Sequence, residues 1–145
     1  MTSVSPLIPE LARWNNGKGI APDSWIFVEG RADHALGFCS FLWPEFVKFE
    51  GYVLRSPLDV ERLRGWERSG EHTRQQIETA MNAFLLEGAF PTDKAESELK
   101  EKQCERLAEI MADMLAAKLA CDFPGLHFET FTMSGYDFGV SFHQL

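Results

Sequence analysis

The sequence predicts an α+β fold: several helices, including one long helix in the C-terminal half, packed on one face of a small antiparallel sheet with a C-terminal β-hairpin. Three observations carry that reading. Apolar residues recur at helical spacing through much of 57–121, with Leu107, Ile110, Met111, Met114 and Leu115 forming one stripe. Aromatic and β-branched residues dominate the run from Phe46 to Arg55. The last residues, Phe128 to Met133 and Phe138 to Phe142 around Ser134-Gly135-Tyr136-Asp137, have the alternation and the central turn of a hairpin.

In chain order, Ser5-Pro6 offers a cap and a favourable first helical residue. Leu7, Leu11 and Trp14 follow at helical spacing until Asn15-Asn16-Gly17 halts the run, so a helix over 6–15 is expected. Pro22-Asp23-Ser24 opens a brief helix through Val28, closed at Gly30. Asp33 is placed to cap another over 34–42, which Trp43-Pro44 ends because the residue before proline avoids the helical region. The run 46–55 reads as one extended strand with Gly51 inside it, a helix ending near Lys48 being the alternative. Ser56-Pro57-Leu58-Asp59 marks the start of a helix reaching Arg68, with Val60, Leu63 and Trp66 inward. A further helix over 71–86 groups Ile77, Met81, Phe84 and Leu85 and stops at Gly88. Thr92-Asp93 opens the long helix, which runs through Cys121 and is terminated by Asp122-Phe123-Pro124-Gly125.

A two-residue Gly135-Tyr136 loop sets the expected register of the hairpin. Met133, Phe131 and Glu129 then face Phe138, Val140 and Phe142, while Thr132, Thr130 and Phe128 face Gly139, Ser141 and His143. One face is apolar and the other largely hydroxylated, as in a sheet covered by helices on one side. A lone hairpin is barely stable, so the 46–55 strand is its expected third member.

A length of 145 residues suits a single α+β domain over 1–145 with enough core to fold without staples. Three widely spaced cysteines, Cys39, Cys104 and Cys121, indicate neither a disulfide framework nor a zinc site and fit reduced thiols in a cytoplasmic chain. The first residues lack the basic and apolar regions of a secretory signal, and no apolar stretch has the length of a membrane-spanning helix, so no membrane association is expected. The formal charge of -8 divides into -2 on residues 1–72 and -6 on residues 73–145. Such a field argues against nucleic acid, whose phosphates it repels, and would draw in a basic protein partner. Gly17-Lys18-Gly19 lacks the upstream glycine, the following Ser/Thr and the preceding strand of a phosphate loop, and no cofactor is expected.

Six rings, Phe38, Phe41, Trp43, Phe46, Phe49 and Tyr52, crowd into 38–52. They form the centre of the core or the floor of a recognition surface, and the core is the commoner fate of large rings. Glu29, Asp33 and His34 place two carboxylates and an imidazole close together in sequence, sufficient for a metal ligand set or an acid–base pair. Their spacing matches no zinc motif, no metal is expected, and a helix cap is the simpler use of Asp33. On the expected hairpin Thr130, Thr132, Ser141 and His143 share a face able to orient a small polar ligand, with no carboxylate beside them to activate a hydroxyl. Glu101, Glu105, Glu109 and Asp113 recur every four residues on the long helix, where like charges oppose helix formation by roughly 0.2–0.5 kcal/mol per pair. A solvated face explains them most simply. Pairing with Arg55, Arg62, Arg64, Arg68 and Arg74, or docking of a basic partner, would compensate the repulsion.

Three blocks resemble segments of small uncharacterised bacterial proteins of about this length: Trp14-Asn15-Asn16-Gly17-Lys18-Gly19-Ile20, the run Ser40 to Val47 with Phe49 to Arg55, and Val140-Ser141-Phe142-His143-Gln144. The resemblance implies a bacterial single-domain protein and assigns no residue a role. From the charge asymmetry, the expected function is a non-catalytic protein-interaction module of the immunity or adaptor type, with an acidic helix face. The competing expectation is a small enzyme or ligand-binding domain using a pocket between sheet and helices, with Glu29, Asp33, His34 and His143 as its polar residues. A homodimer through the exposed side of the long helix or the sheet edge is a third.

Overall fold

A computed structural model describes residues 3–90, 97–135 and 137–145, with backbone alone at Ser97. The first expected helix is instead two 3₁₀ turns, Ser5–Leu7 and Pro9–Arg13, because Pro9 has no N–H with which to continue the preceding turn. Leu11 is buried, and Asn15, Asn16 and Gly17 then take φ of 56°, 55° and 83°, a left-handed stop. Helix α1 spans Pro22–Glu29 and α2 spans Ala32–Leu42. Because α2 begins ahead of the expected start, Asp33 lies in its first turn and Arg31 occupies the cap position.

The 46–55 run is not one strand. It folds as β1 (Phe46–Phe49) and β2 (Tyr52–Arg55), an antiparallel pair forming a two-stranded sheet of its own. Glu50 and Gly51, at φ of 50° and 85°, make the two-residue turn with both central residues left-handed, whose twist matches that of the strands. After a cis Ser56–Pro57 peptide, α3 runs Val60–Arg68, capped by the Asp59 carboxylate accepting from the Arg62 N–H at 2.9 Å. Leu63 points inward and Trp66 is half-buried, whereas Val60 is exposed, contrary to expectation.

Helix α4, Arg74–Asn82, opens with a reciprocal Thr73/Gln76 capping box. It ends well before the expected Leu86. Phe84–Leu85 leaves as β3, and a single turn, α5 (Leu86–Ala89), holds Gly88. The long helix α6 is described over Ser97–Asp122; its expected opening at Thr92-Asp93 lies outside the described residues.

Strands β4 (Phe128–Met133) and β5 (Gly139–Gln144) form the expected C-terminal hairpin, in a three-stranded antiparallel sheet of order β3-β5-β4. The third strand is therefore β3, not the 46–55 segment. The register differs by one residue: Met133 faces Gly139, Thr132 Val140, Phe131 Ser141, Thr130 Phe142, Glu129 His143 and Phe128 Gln144. The cause is β3. It crosses Gly139 so closely that a Cβ there would collide with the Phe84 carbonyl oxygen, and the Leu86 N–H donates to the Phe138 carbonyl at 2.8 Å. Phe138 thus serves the connection and not the ladder. Since a one-residue slip exchanges faces, Thr130 and Thr132 lie with Val140 and Phe142, while Ser141 and His143 lie with Glu129, Phe131 and Met133. The hydroxylated face does not form.

Two apolar clusters hold these elements. Along α6, Cys104, Ala108, Met111, Leu115 and Leu119 recur at steps of three and four and pack with Phe41, Val53, Leu86, Val140 and Phe142. The expected Leu107, Ile110 and Met114 flank that line, half-buried. Tyr52, Leu54, Leu63 and Ile77 form the second cluster, between β2, α3 and α4. Each fully buried large side chain contributes roughly 1.5–3 kcal/mol relative to exposure. The aromatic run divides: Phe41 and Tyr52 are buried, Phe46 and Phe49 half-buried, and Phe38 and Trp43 open to solvent.

Candidate functional site

Glu78 and Asn82 are one helical turn apart on α4, so both side chains leave the same face of the helix, and both are buried. That face meets two strand edges. Glu78 Oε2 accepts from the Val53 N–H at 3.0 Å and from Gln144 Nε2 at 2.8 Å, and Oε1 accepts from the Gln144 N–H. Asn82 Oδ1 accepts from the Arg55 N–H at 2.9 Å, while Nδ2 donates to the carbonyls of Val53 at 2.9 Å and Phe142 at 3.4 Å. The buried Ser141 hydroxyl donates to the Thr79 carbonyl at 2.7 Å. Side chains of a helix thus supply the partners that another strand would give to β2 and β5, joining the two sheets through a polar seam. Its polar atoms are committed within the chain.

The four residues expected around a ligand are dispersed. Glu29 ends α1, exposed. Asp33 and His34 stand on the exposed first turn of α2, where the Arg31 guanidinium, 2.7 and 3.2 Å away, holds the Asp33 carboxyl below its ordinary range with help from the His34 N–H. The His34 ring meets Phe38 edge-on at 6.3 Å. His143 lies on β5, with Nε2 3.3 Å from Glu129 Oε2 and Nδ1 3.0 Å from the Gln144 carbonyl oxygen. It lines an open groove of about 510 Å³ with Thr73, Gln76, Thr79, Ala80 and Met133. The described interactions of His143 are with Glu129, Phe131 and Gln144, none of them with Glu29, Asp33 or His34. Glu129 was missed as its partner because the expected register placed that carboxylate opposite Phe142. Among the described residues no three His, Cys, Asp or Glu side chains gather as metal ligands.

On α6, Glu101, Glu105, Glu109 and Asp113 are all exposed, and Glu109 pairs with Arg106 at 2.9 Å. Four of the five arginines expected to neutralise the stripe, Arg55, Arg62, Arg64 and Arg74, are engaged elsewhere. Arg64 clamps Glu50 and Glu67 at 2.6–2.7 Å, which holds the Glu50 carboxyl down and raises the pKa of the guanidinium. Arg62 donates to the Ala80 carbonyl at 3.1 Å. Arg74 donates to the Glu50 carbonyl at 2.6 Å and lies 3.9 Å over the Tyr52 ring. Arg55 stacks 4.7 Å over Phe84, and burial lowers its pKa.

Among the described residues, the least covered apolar surface lies on α1 and α2. Ile26 is 55%, Phe27 90%, Val28 62% and Leu36 74% exposed, and Phe38 and Trp43 are 40% and 44% exposed. Helix α1 buries none of its residues, and α2 buries Phe41 alone. A helix apolar around most of its circumference ordinarily lies inside a protein. The signal was present in Trp25-Ile26-Phe27-Val28, an unbroken apolar run with no polar side, but such a run looks the same whether core or partner covers it. Family models, curated proteins and solved structures compared with the chain give no match. Roles rest on surface chemistry. Among the described residues no helix is long and apolar enough to cross a membrane.

Proposed function

We propose that the chain is a non-catalytic protein-interaction module of the immunity or adaptor type, working in a bacterial cytoplasm. The observation that supports it is the apolar surface of α1 and α2, led by Phe27 at 90% and Leu36 at 74% exposure. Large rings and aliphatic side chains left in water on consecutive elements mark docking surfaces. The outer side of α6 adds a charged surface: Glu101, Glu105 and Asp113, on a chain of charge -8, favour a basic partner at association rates that fall with salt. The same charge disfavours nucleic acid and anionic lipid.

The test compares three immobilised proteins in soluble extract of the source cells: the native chain, Phe27→Asp/Leu36→Asp, and Glu101→Lys/Glu105→Lys/Asp113→Lys. A protein retained by the native chain and lost from the first variant, or reduced on the second at low salt, is the expected result. Equal retention by all three overturns the reading. The His143–Glu129 pair at the edge of its groove favours a second reading, a small-ligand site. A metabolite that raises the native melting midpoint but not that of His143→Ala would put that reading ahead.

A further inference from the structure

We infer that α1 and α2 form a self-association surface, on which two copies of the chain pack these helices against each other about a two-fold axis. The inference rests on the interaction reading above and names the partner for this one surface. Area is the first argument. Phe27 at 90% exposure holds roughly 180 Å² of accessible surface, and with Ile26, Val28, Leu36, Phe38 and Trp43 the exposed apolar total is roughly 600 Å². One side of a standard interface buries about 800 Å², of which about 450 Å² is apolar, and is built from about 20–30 residues. Residues 22–43 therefore supply the apolar half-interface of a stable dimer by themselves.

Charge and shape point the same way. Between Pro22 and Trp43 the formally charged residues are Asp23, Glu29, Arg31 and Asp33, with Arg31 held on Asp33, and interface centres are depleted of charge. Ile26, Phe27 and Val28 are consecutive, so they point in three directions around α1, and a flat surface reaches only one of them. A second helical pair, laid two against two, covers more of that circumference, and a two-fold arrangement needs no complementary groove because the same residues meet on both sides. Net charge separates this occupant from a basic protein. Two copies at -8 repel, so their association tightens as salt rises, whereas docking of a basic partner weakens.

Light scattering and sedimentation of the full chain over a concentration series, at low and high salt, decide the matter. The expected mass rises from 16.5 kDa toward twice that value, with more dimer at high salt. Phe27→Asp and Leu36→Asp each weaken dimerisation at least tenfold with an unchanged circular dichroism spectrum, while Glu101→Lys/Glu105→Lys/Asp113→Lys keeps the dimer. Should the aspartates disturb folding, Phe27→Ser and Leu36→Ser carry the same expectation. A chain monomeric at every concentration and salt, or a dimer indifferent to these substitutions, overturns the proposal. If that monomer still retains a cellular protein that Phe27→Asp loses, the interaction reading stands and the self-association proposal alone falls.

Discussion

Around α4 the chain buries polar atoms and gives them partners; along α1 and α2 it leaves apolar side chains in water. The first region inverts the usual sorting from inside and the second from outside. Glu78 and Asn82 are tolerated at 3% and 0% exposure because five backbone groups and the Gln144 amide complete their hydrogen bonds. Phe27 at 90% exposure has no compensation of that kind within its own helix, which buries nothing. The seam is thus part of what makes the chain fold, whereas α1, with no buried residue, and the outer side of α2 stay open to a partner.

The contrast breaks most sharply at Asn82. Asn82→Asp changes one nitrogen to oxygen, removing both donors and placing a carboxylate against the carbonyls of Val53 and Phe142 at a site with no exposure. A buried charge without a partner costs about 3–5 kcal/mol, so urea unfolding should show most of the stability gone. A loss under 1 kcal/mol would mean that the edges of β2 and β5 find other partners and that the seam is incidental. Glu78→Gln is gentler. It keeps one acceptor, and its amide meets one set of the donors that now bond Glu78 Oε1 or Oε2, for an expected loss of about 1–3 kcal/mol.

These two residues also show what the sequence could disclose. Local signals placed α1, the end of α2 at Trp43-Pro44, the long helix and the C-terminal hairpin, since capping, proline and alternation act within a few residues. Glu50-Gly51 was read as the interior of a strand because glutamate is an uncommon first residue of a two-residue turn, although Gly51 beside it was the cue. Phe84–Leu85 continued the helical spacing of Ile77 and Met81, which hid a two-residue strand whose partner lies more than fifty positions away. That strand moved the hairpin register, and with it the partner of His143. Glu78 could not be placed inside at all, because its donors come from Val53 and Gln144, residues distant in the chain from α4 and from each other.

A carboxylate at the open rim of the same region sharpens the comparison. Arg64 beside Glu50 holds that carboxyl below its ordinary value of 4.5. With the folded pKa below the unfolded one, the pair's contribution is complete above about pH 4.5 and disappears as pH falls through the lowered value. Glu50→Gln should therefore lower stability slightly above pH 4.5 and leave it unchanged at acid pH where the carboxyl is protonated, which flattens the acid limb, an effect erased by high salt because the pair is exposed. An unaltered acid limb would show that Arg64 stabilises the turn through its stacking on Phe49 instead.

The smallest expected effect is at the other pole. Phe27→Asp puts a charge on the most exposed large ring among the described residues, and at a protein concentration low enough for monomer its folding free energy should stay within about 0.5 kcal/mol of the native value. Concentration matters because a dimer adds stability by mass action, and that increment is the part Phe27→Asp removes. The dilute and concentrated melting curves of the native chain should therefore separate, while those of the variant coincide. If the dilute variant melts many degrees lower, α1 is packed within its own chain, and the surface offered to a partner must be sought on α6 instead.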